Sequence, residues 1–219
     1  MIDFVLGAVG GLRARFEDVR RQRRWRQLRA MGMHIGNDVF LPDSTWIDTS
    51  HCFLISIGDH CGFGEECLLL AHDAQMDEYL DAARIGRVVI HESSHIGART
   101  VILPGVEIGP RTIVGAGSVV TKSLPADSVC AGNPARVICS LEDYLSKHRE
   151  RMAGARTFEY TQYDIRVHTP ERRAELIAAC DAGPTYIVGG RSAELRGEGG
   201  TPRTAMAPGA LGPASGVSR

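Results

Sequence analysis

The sequence predicts a mainly-β protein: a parallel β-solenoid with a helix before it and a helical extension after it. Two observations predict this. From Ile96 onward an aliphatic residue returns at every sixth place, at Ile96, Ile102, Ile108, Val114 and Val120. In the same register, starting at Ile90, the fifth position of each hexad is Ser94, Thr100, Val106, Thr112, Ser118 or Leu124, mostly small or β-branched. The fifth residue of one hexad and the first of the next are two apart, so on a strand they point to one side. Each hexad then bends at a Gly- or Pro-containing step such as "PG", "GP" or "GAG". A chain that turns every six residues with the same inward pair winds so that each coil covers the next.

The elements follow in order. Residues 1–33 hold an apolar start and then "RARFEDVRRQRRWRQLRAM", a run of good helix formers with few breakers, read as a helix. Its arginines could face anionic lipid headgroups; the plainer alternative is a solvated basic face on a helix packed over the end of the core. Residues 34–140 are the repeat region. Earlier hexads begin at Ile35 ("IGNDVF LPDSTW IDTSHC") and, after a phase slip, at Ile57 ("IGDHCG FGEECL LLAHDA"). Glycine is expected to supply the positive-φ corners. Between Leu69 and Ile90 the period fails. The excess, "DAQMDEYLDAARIGR" at 73–87, is too polar and irregular for a coil and is expected to be a loop thrown out of the solenoid, a favoured place for function.

Residues 141–189 open with an amphipathic helix, "LEDYLSKHRERM", followed by an extended "FEYTQYDIRVH". A second helix, "PERRAELIAACDA", has Thr169 as its N-cap, Pro170 at its first position and Gly183 as its C-cap. "TYIVGG" reads as one more strand. The tail, 190–219, is Gly, Pro, Ala, Ser and Arg with hardly an apolar anchor, and is expected to be disordered.

Charge and composition exclude several classes. A formal net charge of −1 argues against a dedicated nucleic-acid binder. No span approaches the roughly 20 apolar residues a membrane crossing needs. The apolar "FVLGAVGGL" precedes its arginines, the reverse of a secretory signal, so the expected compartment is the cytoplasm. Cys52, Cys61, Cys67, Cys130, Cys139 and Cys180 form no C-x-x-C pair and read as reduced thiols, several of them packed as small apolar residues.

Across roughly His34 to Ser140 the chain resembles the hexapeptide-repeat acyltransferases with a left-handed parallel β-helix, in the branch of galactoside, maltose and polysaccharide O-acetyltransferases. The resemblance rests on "VILPGVEIGPRTIVGAGSVVTKSLPADSVCAGNPARVI" and "LLLAHDAQMD". It implies an enzyme that moves acetyl from acetyl-CoA to a hydroxyl of a sugar or saccharide, with no metal, working as a homotrimer with the cofactor groove between neighbouring solenoids. The general base would be His72, beside the extruded loop. An alcohol is almost un-ionised at neutral pH, so its attack on a thioester needs such a base. Asp73 follows His72, but adjacent residues on an extended chain point oppositely; it orients His72 only if the backbone turns there, and a backbone carbonyl or an acid from elsewhere is the favoured partner. Asp77 in the loop is a candidate contact for the acceptor. By the same resemblance, Ala98 and Ala116 are corners that pantetheine approaches, and Thr121 and Lys122 contact CoA. Arg136 lies near the nucleotide phosphates; a family arginine three residues further on is replaced by Cys139.

Two other classes fit parts of the pattern. A metal hydratase on the same solenoid needs three histidines converging on zinc, and His51, His60, His72, His91 and His95 are available. A non-catalytic scaffold would need none of His72, Lys122 and Arg136.

Overall fold

In the computed structural model, which describes residues 19–20, 22–163 and 169–190, most hexads of the repeat region supply a short strand to one of three largely parallel sheets. The first face stacks His34–Ile35, Ile55–Ile57, Val88–Ile90 and Glu107–Ile108. The second stacks Gly62–Phe63, His95–Ile96, Ile113–Val114 and Ser128–Gly132, and closes with the antiparallel strand Ala135–Ser140. The third stacks Trp46–Ile47, Leu68–Leu69, Val101–Ile102 and Val119–Val120.

Register confirms the inward pair. Ile90 lies against Ile108, Ile96 against Val114 and Ile102 against Val120, each 18 positions on, so three hexads make one turn. Ile57, Ile90, Ile102 and Ile108 are all buried, and so are the fifth-position residues Ser94, Thr100, Thr112 and Ser118. Buried hydroxyls must be hydrogen-bonded. Ser94 donates to the Gly109 carbonyl (2.7 Å), Thr112 to that of Pro125 (2.7 Å) and Ser118 to that of Gly115 (2.6 Å). Cys61 and Cys67 fill the same column as thiols, and burial pushes the pKa of both up, which makes them inert packing groups.

Glycine supplies the expected positive-φ corner at Gly105 (φ 82°) in "PG" and Gly117 (φ 69°) in "GAG", but not at most corners. Most left-handed corner positions belong to other residues: Asp38, His60, Glu66, Ser93, Arg99, Arg111 and Asp127 have φ between 48° and 60°. Five of them, His60, Ser93, Arg99, Arg111 and Asp127, offset this conformation with a backbone bond to the preceding turn, as when His60 N–H donates to the Asn37 carbonyl (2.9 Å) and Arg111 N–H to that of Glu92 (3.0 Å). Side chains of these residues also pair across turns: Asp38 with His60, Glu66 with Arg99, Arg111 with Asp127. The hexad glycines are needed for close approach. A Cβ on Gly97 would lie 2.3 Å from the Ala116 nitrogen, and one on Gly64 2.4 Å from that of Ala98.

Two insertions interrupt the turns. Ile35 pairs with Ile57 across 22 positions and Leu69 with Ile102 across 33, where 18 complete a regular turn. The shorter insertion contains the 3-10 turn Cys52–Leu54. The longer one, expected as a loop over 73–87, is an ordered hairpin: His72–Asp73 pairs antiparallel with Arg84–Ile85, and a short helix, Asp77–Leu80, sits at its tip. Both leave the solenoid where the third face hands over to the first.

Residues 22–30 are helical. Leu28 is buried, and Trp25 packs against the core. Arg24 donates to the carbonyls of Asp43 (2.8 Å) and Thr45, and Arg29 donates to that of Ile35 (2.8 Å). Arg20 pairs with Asp43 at 3.0 Å. The helix thus packs on the core, but its basic face is not simply solvated: Arg24 and Arg29 satisfy carbonyls of the first turn. Among the described residues no helix is long and apolar enough to cross a membrane. Residues 1–18, which hold the rest of the expected N-terminal helix, lie outside the description.

The chain divides into two compact units, 1–146 and 147–219. The helix Leu141–Ala153 runs across the boundary. In the second unit Arg156–Glu159 pairs in parallel with Thr185–Val188, and the helix Pro170–Ala182 connects them. Thr169 caps that helix by accepting from the Arg172 N–H (3.3 Å). The segment expected to be extended after Phe158 instead coils into a helical turn at Tyr160–Tyr163, where the Tyr163 hydroxyl donates to Glu175. The rest of that segment, 164–168, and the tail from 191 lie outside the described residues.

Candidate active site

The two insertions bring one residue group together. Asp48 follows Ile47 at the end of the third face, and its N–H donates to the Leu69 carbonyl one turn on (3.0 Å). Its carboxylate stays inside, 2% exposed. Oδ2 accepts from His72 Nδ1 at 2.5 Å and from the Ala71 N–H at 3.3 Å; Oδ1 accepts from the Ser50 hydroxyl at 2.5 Å. The His72 ring projects outward, about one-third exposed. His51, carried by the shorter insertion, lies beside it with ring centroids 4.9 Å apart and its Nδ1 2.9 Å from the Ser50 hydroxyl.

Electrostatics fix the protonation pattern. Burial alone pushes the Asp48 carboxyl up, but hydrogen bonds from Ser50, His72 and the Ala71 N–H outweigh it, and the carboxyl titrates below its ordinary value. An ionised carboxylate can only accept. His72 Nδ1 therefore carries the proton, and the lone pair of a neutral ring is on Nε2. The ring is anchored on its Nδ1 side by a buried carboxylate while about one-third of it remains exposed.

The other expected residues fall at separate places. Asp73 does not touch His72; its carboxylate accepts from the Gln75 N–H (3.0 Å) and shapes the hairpin, so the acid that holds His72 is Asp48. The physical reason is strand alternation: Asp73 points away from the face that His72 presents. Asp77 is exposed at the hairpin tip. Thr121 and Lys122 follow Val120 on the same solenoid edge as His72, two turns further on. Ala98 and Ala116 lie on the other edge of the third face, in successive turns, where the Gly117 N–H donates to the Ala98 carbonyl (2.8 Å). Arg136 is exposed on the closing strand opposite Ala131, and its guanidinium donates to the Ala135 carbonyl (2.9 Å). Cys139 lies on the same strand. The three-histidine zinc set does not form among the described residues: His60 pairs with Asp38, His91 lies 3.9 Å from Glu107, and His95 is on the second face.

Asp48 and Ser50 were missed by reading the sequence. A signal was present: in "IDTSHC" an aspartate occupies the second hexad position, which is glycine in "IGND", "IGDH", "IGAR" and "IGPR".

Comparison with known proteins now bears on this geometry. The bacterial transferase hexapeptide (six repeats) model matches residues 87–122. The "Putative acetyltransferase YvoF" of Bacillus subtilis is 33% identical over 130 residues, which cover 59% of this chain and 73% of that protein. The chain belongs to the hexapeptide-repeat acetyltransferase family. Two further relatives in this family match over shorter stretches. The galactoside O-acetyltransferase of Lactococcus lactis is 31% identical over 115 residues, 51% of this chain and 54% of that one. The 2,3,4,5-tetrahydropyridine-2,6-dicarboxylate N-acetyltransferase of Staphylococcus aureus is 42% identical over 69 residues, 32% and 29% of the two chains.

Proposed function

We propose that the protein is an O-acetyltransferase that moves acetyl from acetyl-CoA to a hydroxyl of a sugar or saccharide, with His72 as general base. The observation that carries this reading is the buried Asp48 carboxylate on Nδ1 of the partly exposed His72 ring, an arrangement that puts the lone pair of a neutral ring on Nε2. The acceptor O–H gives its proton to Nε2 while its oxygen forms a bond to the acetyl carbonyl carbon. Asp48 stabilises the imidazolium that results. Backbone N–H groups at a solenoid corner hold the tetrahedral oxyanion. The C–S bond then breaks, and the departing thiolate takes the proton back from Nε2, so the enzyme ends as it began.

The repeat region, 34–140, is the catalytic unit, coiled left-handed. It works in the cytoplasm as a homotrimer, a closed ring in which a face of one solenoid meets a different patch of the next. The outward column of the third face supports this: Trp46 is 50% and Leu68 36% exposed, and Val101 and Val119 continue the apolar stripe. The edges bounding that face carry Ala98 and Ala116 on one side and Thr121 and Lys122 on the other, a frame for the pantetheine arm, with Arg136 near the phosphates. Asp77, on the hairpin beside His72, contacts the acceptor.

The test is free-thiol release from acetyl-CoA over a panel of hydroxyl and amine acceptors. The reading expects a saccharide hydroxyl to be acetylated, and His72→Ala to lower turnover about 10²–10⁴-fold with an unchanged melting temperature. Undiminished turnover in a folded His72→Ala protein overturns the base assignment; transfer to amines alone overturns the O-acetyl assignment.

A further inference from the structure

The corner that presents His72 also contains a set of metal-ligating groups that acetyl transfer does not need. Asp48, His51 and His72 each place a ligand atom within 4.8 Å of the other two. Asp48 Oδ2 is 2.5 Å from His72 Nδ1 and 3.8 Å from His51 Nδ1. Zinc bound at about 2.0–2.1 Å by two imidazole nitrogens and a carboxylate oxygen, in tetrahedral geometry, separates its ligands by roughly 3.3 Å. The first contact must open by less than about 1 Å and the second must close by about 0.5 Å, movements within the reach of side-chain rotation. Both rings are about one-third exposed, so water can fill a fourth position.

We propose that this corner is a reversible inhibitory site for a divalent transition metal of the zinc class, ligated by Asp48, His51 and His72. Two imidazoles and one carboxylate favour zinc, cobalt or nickel over magnesium and calcium. The inhibitory half of the proposal rests on His72 being the base. Binding moves a proton: the metal bonds to the His72 Nδ1 lone pair, the Nδ1 proton passes through solvent to Nε2 so that the ring stays neutral, and Asp48 changes from hydrogen-bond acceptor to ligand. With Nδ1 on the metal and the proton on Nε2, the ring has no lone pair left to take a proton from an alcohol. Protons compete for the same atoms, and metal affinity falls with falling pH. His51 is the distinguishing residue. Its ring stands beside His72, has no role in the transfer described above, and supplies the third ligand.

The experiment compares wild type with His51→Ala, both freed of metal by a chelator. Cobalt(II) is titrated as a spectroscopic stand-in for zinc and read by the visible absorption of four-coordinate cobalt; thiol release is followed in parallel against added zinc. One cobalt per chain is expected in wild type. Affinity should fall at least about tenfold in His51→Ala, as removing even an outer-shell partner does. Turnover in chelator should be retained in the variant, with the inhibitory zinc concentration raised at least about tenfold. His51→Gln, closer in size and polarity, must give the same pattern, which guards against a folding defect in the alanine variant. Equal cobalt affinity in wild type and variants, or equal zinc inhibition, overturns the proposal. If cobalt binding depends on His51 while wild type acetylates nothing, the metal site stands and the proposed function falls. If transfer depends on His72 while cobalt ignores His51, the function stands and the metal site falls.

Discussion

Two edges of the solenoid bound its third face, and they are built oppositely. On the edge entering that face, Gly64, Gly97 and Gly115 occupy the second hexad position, and the next turn leaves no room for a Cβ: the nearest atoms would be 2.3–2.8 Å away. On the edge leaving it, the same position holds Asp48, Leu70, Leu103 and Thr121, and both insertions depart there. The first edge is closed by backbone stacking; the second is open and can hold side chains. A regular solenoid is too tightly stacked at its glycine corners to build an acid–base pair. Irregularity in two neighbouring turns gives Asp48 and His72 a common place.

The contrast breaks most visibly in the core. Ile102→Asp buries a charge in a regular turn, where Ile102 has no exposure, and should cost at least about 4 kcal/mol. Ile85→Asp, on the inserted hairpin with Ile85 60% exposed, should change stability by no more than about 0.5 kcal/mol. Denaturant titration of both variants checks the pair; similar losses would mean that the hairpin is part of the core.

A smaller effect sharpens the comparison of the edges. Gly97→Ala places a methyl against the Ala116 backbone and should cost about 3 kcal/mol, some 6–12 °C in melting temperature. Leu70→Ala at the equivalent position of the open edge removes a half-buried side chain and should cost about 1 kcal/mol. A Gly97→Ala protein as stable as wild type would remove the close-approach argument.

How far the sequence reveals this molecule follows the same division. Periodicity encodes burial directly, so Ile90, Ile102, Ile108, Ser94 and Thr112 were legible as inward residues, and the failure of the period after Leu69 located the insertion beside His72. The role of the glycines was not legible, because a short "IG" step fits a positive-φ corner or a close approach equally well; only the stacked turns distinguish them. Asp48 was hidden for a related reason. It is 24 positions from His72, and the turn between them is four residues longer than the regular 18, so no fixed offset in the sequence connects the two. The coil at Tyr160–Tyr163 arises from a tertiary contact, Tyr163 with Glu175, that local propensity does not record.

The smallest effect is one of pH. Asp48 titrates lower in the folded chain than its ordinary value, so its contribution to stability is complete above the unfolded carboxylate range near pH 4 and is lost as pH falls through the lower folded value. Asp48→Asn should lower the melting temperature at neutral pH, with the gap to wild type narrowing on acidification below about pH 4. A gap that stays constant to pH 3, or about there, would mean that the carboxylate carries no such linkage.

The central claim is that Asp48 holds the proton of neutral His72 on Nδ1 and leaves Nε2 as the base. Nitrogen-15 NMR of the imidazole ring, recorded at a pH where His72 is neutral, reads this arrangement without substrate or cofactor. The account predicts the Nδ1–H tautomer in wild type and a mixture of tautomers in Asp48→Asn. A wild-type His72 with its proton on Nε2 would contradict it.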